Sequence, residues 1–150
     1  MTRQGKRLAL VTGSARGIGL ATAEKFLAEG WRVVLLDIDA ETLAATHARL
    51  ALPDDTMAVA CDVAEPDQVT AAVDAVVARF GRIDALVNNA GVADFRPILE
   101  TDFAVWSRIL AVNLTGPFLC TQACAPVMLA GGGGAVVNIA SISGFRASTL

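Results

Sequence analysis

The chain has 150 residues, which is enough to bury the core of one domain. Hydrophobic residues make up 54% of it and charged residues 18%, so it is more apolar than a typical free-standing soluble domain. The formal net charge is -3 and the sequence holds no basic cluster, which argues against nucleic acid as a partner.

The cysteines and the N-terminus bear on the compartment. Three cysteines are an odd number for a chain of this size and predict a reduced, cytoplasmic compartment. Cys120 and Cys124 stand one helical turn apart, but the only histidine, His47, falls in a predicted polar helix. We therefore interpret both cysteines as small residues of a buried helix and predict no metal site. The first apolar run is too short for a signal peptide.

No charged residue occurs from Ile109 to Phe145. An uncharged segment of that length raises the question of a membrane span. Asparagines, prolines and four consecutive glycines interrupt it, so it cannot be one apolar span. We expect no membrane association, and we expect a helix covered on all sides, followed by a loop and a buried strand.

Apolar runs and helical patterns alternate along the chain. The apolar runs predict strands over residues 8–11, 33–36, 57–61, 85–88 and 135–139. The helical patterns predict helices over residues 18–29, 40–50, 65–80, 102–110 and 115–129. This alternation is typical of a parallel sheet covered on both faces, so the predicted fold is α/β: a Rossmann-like, doubly wound sheet in a three-layer α/β/α architecture.

A glycine-rich turn follows the first predicted strand. Gly13, Gly17 and Gly19 separate that strand from the first predicted helix. Gly13 would let the chain turn sharply, Gly17 would let a pyrophosphate approach the backbone, and Gly19 would let helix and strand pack closely. Because helix N-termini attract anions, this placement predicts a dinucleotide-binding turn.

Polar residues collect directly after each predicted strand, and ligands of parallel sheets bind at that edge. These positions are Gly13 to Gly19, Asp37, Asp62, Asn88 to Gly91, and Ser141 to Gly144. Their convergence predicts one site at the carboxyl edge of the sheet.

Asp37 bears on the choice of cofactor because it lies about 20 residues beyond the glycine turn. A carboxylate there would accept both adenosine ribose hydroxyls and repel a 2′-phosphate, which favours NAD over NADP. Arg16 favours the opposite choice, since a guanidinium in the turn could meet a 2′-phosphate. Asp62 is placed to accept from the adenine amino group. Each aspartate has the alternative role of capping the following helix.

Four motifs together resemble the short-chain dehydrogenase/reductase family over residues 6–150. They are Thr12 to Gly19, Asp62-Val63, Asn88-Asn89-Ala90-Gly91, and the pair formed by Asn113 and Asn138-Ile139-Ala140-Ser141. The resemblance implies an NAD(P)-dependent oxidoreductase that transfers hydride between a nicotinamide cofactor and a small-molecule alcohol or ketone. It also implies a homodimer or homotetramer, because in this family the helix after the asparagine packs against its copy in a second subunit.

The resemblance implies site residues, each carried to a matching position. Pyrophosphate contacts are implied for the three glycines, Ser14, Arg16 and Ile18. The other implied cofactor residues are Asp37 and Ile38 at the ribose, Asp62 and Val63 at the adenine, and Asn89, Ala90, Gly91, Val112 and Ile139. Asn113 matches the catalytic asparagine, which kinks its helix and holds a water, and Ser141 matches the serine that binds the substrate oxygen. Ser143 is expected to line the substrate pocket.

One departure from the family concerns its proton donor, a tyrosine in a Tyr-x-x-x-Lys helix. The chain contains no tyrosine and ends at Leu150, just before that helix is expected. We therefore expect residues 1–150 to be the N-terminal part of a longer enzyme, truncated before the Tyr-x-x-x-Lys helix. This part is expected to be one dinucleotide-binding domain with a sheet incomplete at the C-terminus, and to be inactive alone. Two alternatives remain: a non-catalytic dinucleotide-binding or regulatory protein of this type, and another doubly wound nucleotide protein such as a methyltransferase.

Overall fold

The computed structural model describes residues 5–144, and these form alternating strands and helices. The strands are β1 (Leu8–Thr12), β2 (Arg32–Asp37), β3 (Thr56–Ala60), β4 (Ala85–Asn88) and β5 (Ala135–Asn138). The helices are α1 (Gly17–Ala28), α2 (Ala40–Leu50), α3 (Pro66–Phe80), α4 (Phe103–Leu110) and α5 (Gly116–Ala130). A π-helical turn, Ala111–Thr115, joins α4 to α5, and short 3₁₀ turns lie at Ile98–Glu100 and Ile142–Gly144.

All strand pairs are parallel, and the order across the sheet is β3-β2-β1-β4-β5. The chain moves outward from β1 to β3, then crosses back to β4 on the other side of β1. This reversal at β1 and β4 is the switch point of a doubly wound sheet, where ligands bind. The predicted Rossmann-like α/β fold is confirmed for the described residues. Residues 1–4 and 145–150 of the predicted domain lie outside them.

Alternate residues of the central strands enter two separate cores, because successive side chains of a strand point to opposite faces. Leu8 and Leu10 pack on one face against α3 and α5, which contribute Val73 and Cys124. Val11, on the same strand, packs on the other face against α1 and α2. The three layers of the predicted architecture are therefore present.

One expectation about the C-terminal elements was wrong for the described residues, and a second stays a prediction. The outer face of α5 is exposed in this chain, with Phe118 60% and Leu129 75% exposed, and its cover is expected from a second subunit. β5 was expected to be buried, but all four of its residues are exposed. The cause is position: β5 is the edge strand and, within residues 5–144, pairs with β4 alone.

The helical stretch Phe103–Ala130 is long and apolar enough to cross a membrane by length and composition, a test that core helices of soluble proteins also pass. Some of its apolar residues are exposed, such as Phe118 and Leu129, and others are buried. Val112, Cys120, Cys124 and Met128 are buried in the core against the sheet. The helix therefore packs on its own domain along one face.

The three cysteines, Cys61, Cys120 and Cys124, are free thiols buried in the core. Burial raises the pKa of Cys61 to about 11 and those of Cys120 and Cys124 to about 12. Within residues 5–144, no three His, Cys, Asp or Glu side chains are grouped to hold a metal ion.

These thiols should therefore resist chemical modification in the folded protein. At pH 8 a thiol with a pKa near 11 is roughly one part in a thousand thiolate, and thiolate is the reactive form. We expect the native chain to react negligibly with a disulfide reagent at pH 8, and the chain in guanidinium chloride to release the full signal of its thiols. Rapid labelling of the native chain would contradict the packing described for α5.

Candidate functional site

Two adjoining clefts open at the carboxyl edge of the sheet. The first has a volume of about 260 Å³ and lies between the glycine-rich turn, the ends of β2 and β3, and the segment from α4 to the π turn. It is lined by Gly13, Arg16, Leu36, Asp37, Ile38, Cys61, Asp62, Val63, Asn89, Ala90, Gly91, Val92, Arg108 and Val112. Ten of the residues predicted to bind a cofactor are thus brought together.

The second cleft has a volume of about 460 Å³ and lies between the ends of β4 and β5 and the start of α5. It is lined by Asn88, Asn89, Ala90, Gly91, Asn113, Leu114, Pro117, Asn138, Ile139, Ala140 and Ser141. Both predicted catalytic residues, Asn113 and Ser141, are here. The turn after β4, Asn89 to Gly91, lines both clefts and so joins them.

Two glycines of the turn are needed for close packing. A Cβ on Gly13 would lie 2.8 Å from Ala90 Cα, and one on Gly19 would lie 2.1 Å from the Gly13 carbonyl oxygen. Real Cβ atoms do not approach backbone atoms that closely, so any side chain at either position must displace the turn.

Gly17 differs, because it faces open space. Its φ is +60°, and apart from its chain neighbours and the backbone of its own helix, no atom lies within 4 Å of the position a Cβ would occupy. The first N–H groups of α1 have no partner within the helix, and the helix dipole is positive there. An open cradle at a helix N-terminus fits the pyrophosphate of a dinucleotide, so the residues present suit the cofactor that the fold implies.

Four residues predicted to contact the pyrophosphate line neither cleft: Gly17 and Gly19, described above, and Ser14 and Ile18. Ser14 is fully buried: its hydroxyl donates to the Val11 carbonyl oxygen at 2.8 Å and accepts from the Leu36 N–H at 2.9 Å. It therefore links β1 to β2, and its placement does not support a ligand contact by its side chain. Ile18 is 68% exposed and lies on a groove along the outer face of α1.

Asp37 lines the first cleft and also organises the glycine turn. Its carboxylate accepts from the Ala15 N–H at 2.9 Å and from the Asp39 N–H at 3.0 Å. The Ala15 carbonyl is held in turn by the buried Thr46 hydroxyl, which donates to it at 2.7 Å. The capping role considered for Asp37 belongs to Asp39, which accepts from the Thr42 N–H at the start of α2.

Asp62 is paired with Arg108, a residue that the sequence patterns do not indicate. Arg108 Nη1 lies 2.8 Å from one carboxylate oxygen, and the Ala64 N–H donates to the other at 3.0 Å. Burial acts to raise the pKa of Asp62, but the hydrogen bonds from Arg108 and Ala64 outweigh it and lower the pKa. The acceptor predicted for an adenine amino group thus already holds a cation from α4.

Thr12 is a second residue that the sequence reasoning missed. Its hydroxyl oxygen accepts from the N–H groups of Asn89 and Ala90, each at 3.0 Å. The Asn89 side-chain amide donates back to the carbonyl oxygens of Thr12 and Gly13, also at 3.0 Å. The ends of β1 and β4 are therefore locked together beneath the point where the clefts meet. The sequence signal that could have identified Thr12 is its position, because it places a hydroxyl group at the end of an otherwise apolar strand.

Asn113 lies in the π turn between α4 and α5, the position where the family resemblance implies a kink. Its side-chain oxygen accepts from the Val92 N–H and its side-chain nitrogen donates to the Val92 carbonyl oxygen, both at 2.8 Å. The amide is thereby fixed against the loop after β4. π turns inside α-helices are frequently found at functional sites.

The remaining polar groups of the second cleft come from β4 and β5. Ser141 is exposed, and its hydroxyl accepts from the Ser143 N–H at 3.2 Å. Ser143 itself is not among the lining residues. The Asn88 amide nitrogen donates to Asn138 Oδ1 at 2.8 Å, while Asn88 Oδ1 is buried and has no hydrogen-bond partner within residues 5–144. Asn88, expected at this edge of the sheet, is thus a lining residue, although neither the predicted cofactor residues nor the predicted catalytic residues include it.

The chain is similar to proteins of known family. A family model described as short chain dehydrogenase matches residues 7–150. D-threitol dehydrogenase of Mycolicibacterium smegmatis is 48% identical over 136 residues, which cover 90% of this chain and 52% of that protein. The chain therefore spans about half the length of the curated relatives it matches.

Solved structures agree with the sequence match. A short chain dehydrogenase/reductase from Burkholderia phymatum, in complex with NAD, superposes with a TM-score of 0.91 at 33% identity, covering 99% of this chain and 53% of that one. A metagenomic short-chain oxidoreductase in complex with NADP superposes with a TM-score of 0.87 at 39% identity, covering 95% and 66%. The family match over nearly all of the sequence and the shared fold lead to one conclusion: this chain belongs to the short-chain dehydrogenase family.

Proposed function

We propose that the protein is an oxidoreductase that transfers hydride between a nicotinamide dinucleotide and an alcohol or carbonyl substrate. One observation carries this proposal: the two clefts adjoin at the switch point of the sheet. Ten of the fifteen residues expected at a dinucleotide line the first, and Asn113 and Ser141 line the second. The alcohol substrate is supported by the name of the relative that oxidises D-threitol.

We propose NAD as the cofactor in preference to NADP. The support is Asp37, whose carboxylate lines the first cleft at the end of β2. A carboxylate there suits the hydroxyls of an unphosphorylated ribose and repels a 2′-phosphate. The relatives with bound cofactor hold either dinucleotide, so the preference rests on this residue.

The chain's own residues would bind and orient the reactants. When bound, the nicotinamide supplies the hydride chemistry. The Ser141 hydroxyl would donate to the substrate oxygen, and Asn113, fixed by Val92, would keep the floor of the second cleft in place.

A second candidate is a dinucleotide-binding protein without catalysis, because most of the residues expected at the dinucleotide line a cleft of their own. The two candidates share the first cleft and differ at the second. NADH binding together with alcohol oxidation supports the enzyme, whereas binding without turnover on any alcohol supports the second candidate.

We also propose a cytoplasmic homodimer or homotetramer. The support for assembly is the exposure of large apolar side chains along the helical stretch Phe103–Ala130: Phe103, Leu114, Phe118 and Leu129. An exposed apolar patch of this kind typically marks a protein interface. The free buried thiols support a reducing compartment.

Gly17→Ala tests the cofactor site directly, with Gly30→Ala as its matched control. Both glycines have positive φ and open space where a Cβ would lie, so both substitutions carry a similar strain of about 1–2 kcal/mol. Of these two glycines, only Gly17 lies in the glycine-rich turn, where an added methyl group would obstruct the pyrophosphate. In a fluorescence titration with NADH, we expect Gly17→Ala to weaken binding about tenfold or more.

Gly30→Ala should bind NADH as the parent does, although it melts at a similarly lowered temperature. Equal NADH affinity in the two variants would show that the turn holds no pyrophosphate. A parent chain that binds S-adenosylmethionine but not NADH would instead favour the methyltransferase alternative.

A further inference from the structure

We propose that Asp39 sets the dinucleotide preference of the first cleft by holding Arg16 away from a ribose 2′-phosphate. This inference rests on the proposed dinucleotide function and adds a specificity-determining residue to it. Arg16 and Asp37 have opposing expected effects on NADP, and Asp39 decides which of them prevails.

The position of Arg16 raises the question. It precedes the first residue of α1 and lines the first cleft together with Asp37 and Ile38. A guanidinium there binds phosphate well, because its fork of N–H groups matches phosphate oxygens. In the structure, however, Arg16 Nη1 lies 3.1 Å from Asp39 Oδ2. The cation that would accept a 2′-phosphate is thus paired with a carboxylate.

Asp39 is itself held in place, which makes it an effective partner. Its Oδ1 accepts from the Thr42 N–H at 3.1 Å, and its Oδ2 accepts from the Thr42 hydroxyl at 2.7 Å. The Thr42 hydrogen bonds, and to a lesser degree Arg16, lower the pKa of Asp39, so it is ionised at neutral pH. By contrast, the Arg16 side chain is 74% exposed and can reorient once its partner is lost.

Asp39→Asn separates the charge from the cap. Asparagine caps helices as well as aspartate does, so α2 keeps its N-terminal hydrogen bond. Exposed ion pairs contribute little to folding, so the melting temperature should change little. What the substitution removes is the carboxylate that competes with a 2′-phosphate for Arg16. Together with the parent chain, Arg16→Ala and the double variant, Asp39→Asn forms a double-mutant cycle that measures this competition.

The experiment is a set of fluorescence titrations with NADH and NADPH on the parent chain, Asp39→Asn, Arg16→Ala and the double variant. The quantity compared is the ratio of the NADPH and NADH dissociation constants. Asp39→Asn should lower this ratio about fivefold, through tighter NADPH binding. Arg16→Ala alone should change it less than about twofold, whereas in the Asp39→Asn background it should raise the ratio again about fivefold. The difference should shrink in 0.5 M salt, since exposed charges are screened.

Two results would overturn the proposal: an unchanged ratio in Asp39→Asn, or an equal effect of Arg16→Ala in both backgrounds. The second would mean that the charges act additively and that Asp39 does not hold Arg16. If the parent chain binds NADH and Asp39→Asn leaves the ratio of dissociation constants unchanged, this inference is wrong and the proposed function stands. A parent chain that binds neither dinucleotide removes the proposed function and this inference with it.

Discussion

Gly19→Ala should lower the free energy of unfolding by about 3 kcal/mol or more, the upper end of the cost of overpacking. An added Cβ would lie 2.1 Å from the Gly13 carbonyl oxygen and 2.6 Å from Asn89 Nδ2. The first contact is with backbone, which cannot rotate away as a side chain can. Either α1 or the glycine turn must move, and the Asn89 hydrogen bonds to the turn would break. Thermal unfolding followed by circular dichroism should show a melting temperature lower by roughly 10 °C.

The control for Gly19→Ala is Gly91→Ala, at a glycine of the same site. A Cβ on Gly91 would have its nearest neighbour, Asn113 Oδ1, at 3.5 Å, which is an ordinary contact distance. Its φ is not in the left-handed region, so alanine adds no backbone strain. We expect its melting temperature to stay within a few degrees of the parent. If both variants melt alike, the close packing of α1 on the turn is not as described.

The glycine turn illustrates what local sequence can predict. Three glycines between a buried strand and a helix predict a tight turn, and each of the three has a conformational or packing reason in the structure. The expected close packing at Gly19 and the expected open approach at Gly17 agree with the space around each glycine in the structure. What the pattern does not give is the partners. Asn89, which also closes the space at Gly19, follows β4 and reaches the turn only because β4 pairs with β1.

For the polar residues at the strand ends, the position could be predicted from the sequence but the hydrogen-bond partners could not. Their convergence on one edge follows from parallel topology, and the lining of the two clefts confirms it. Their hydrogen-bond partners do not follow. Ser14 turns inward to β2, and Asp62 meets Arg108 from a helix 46 positions away along the chain. Hydrophobic periodicity and motif spacing carry no information about such pairs, because the partners become neighbours only through the arrangement of the strands in the sheet.

The burial of β5 was mispredicted for a related reason. An apolar run such as β5 reads as buried because hydrophobic residues are usually buried. Burial is a property of neighbours, and β5 has β4 on one side only within the described residues. For the uncharged α5, one face meets α3 and the sheet within the chain, and cover of the other face stays a prediction that involves a second subunit. Hydrophobicity predicts which surfaces require cover, and not which element supplies it.

Thr12→Val should be nearly as damaging as Gly19→Ala, although valine has the shape of threonine. The Thr12 hydroxyl is the acceptor for the N–H groups of both Asn89 and Ala90. Thr12 is buried, so no water would replace it, and each unsatisfied buried donor costs about 1–3 kcal/mol. We expect a loss of about 3 kcal/mol in guanidinium unfolding and weaker NADH binding, because the loosened segment is the one that both clefts share.

Thr12→Ser separates the hydroxyl from the methyl group. Serine keeps the acceptor and loses one buried methyl, which costs about 1 kcal/mol. It should therefore retain most of the stability and bind NADH as the parent does. If the serine variant were the less stable of the two, packing of the methyl group would be the main role of Thr12. The opposite order would identify one buried oxygen as the group that aligns β1 with β4, and thereby the cofactor cleft with the substrate cleft.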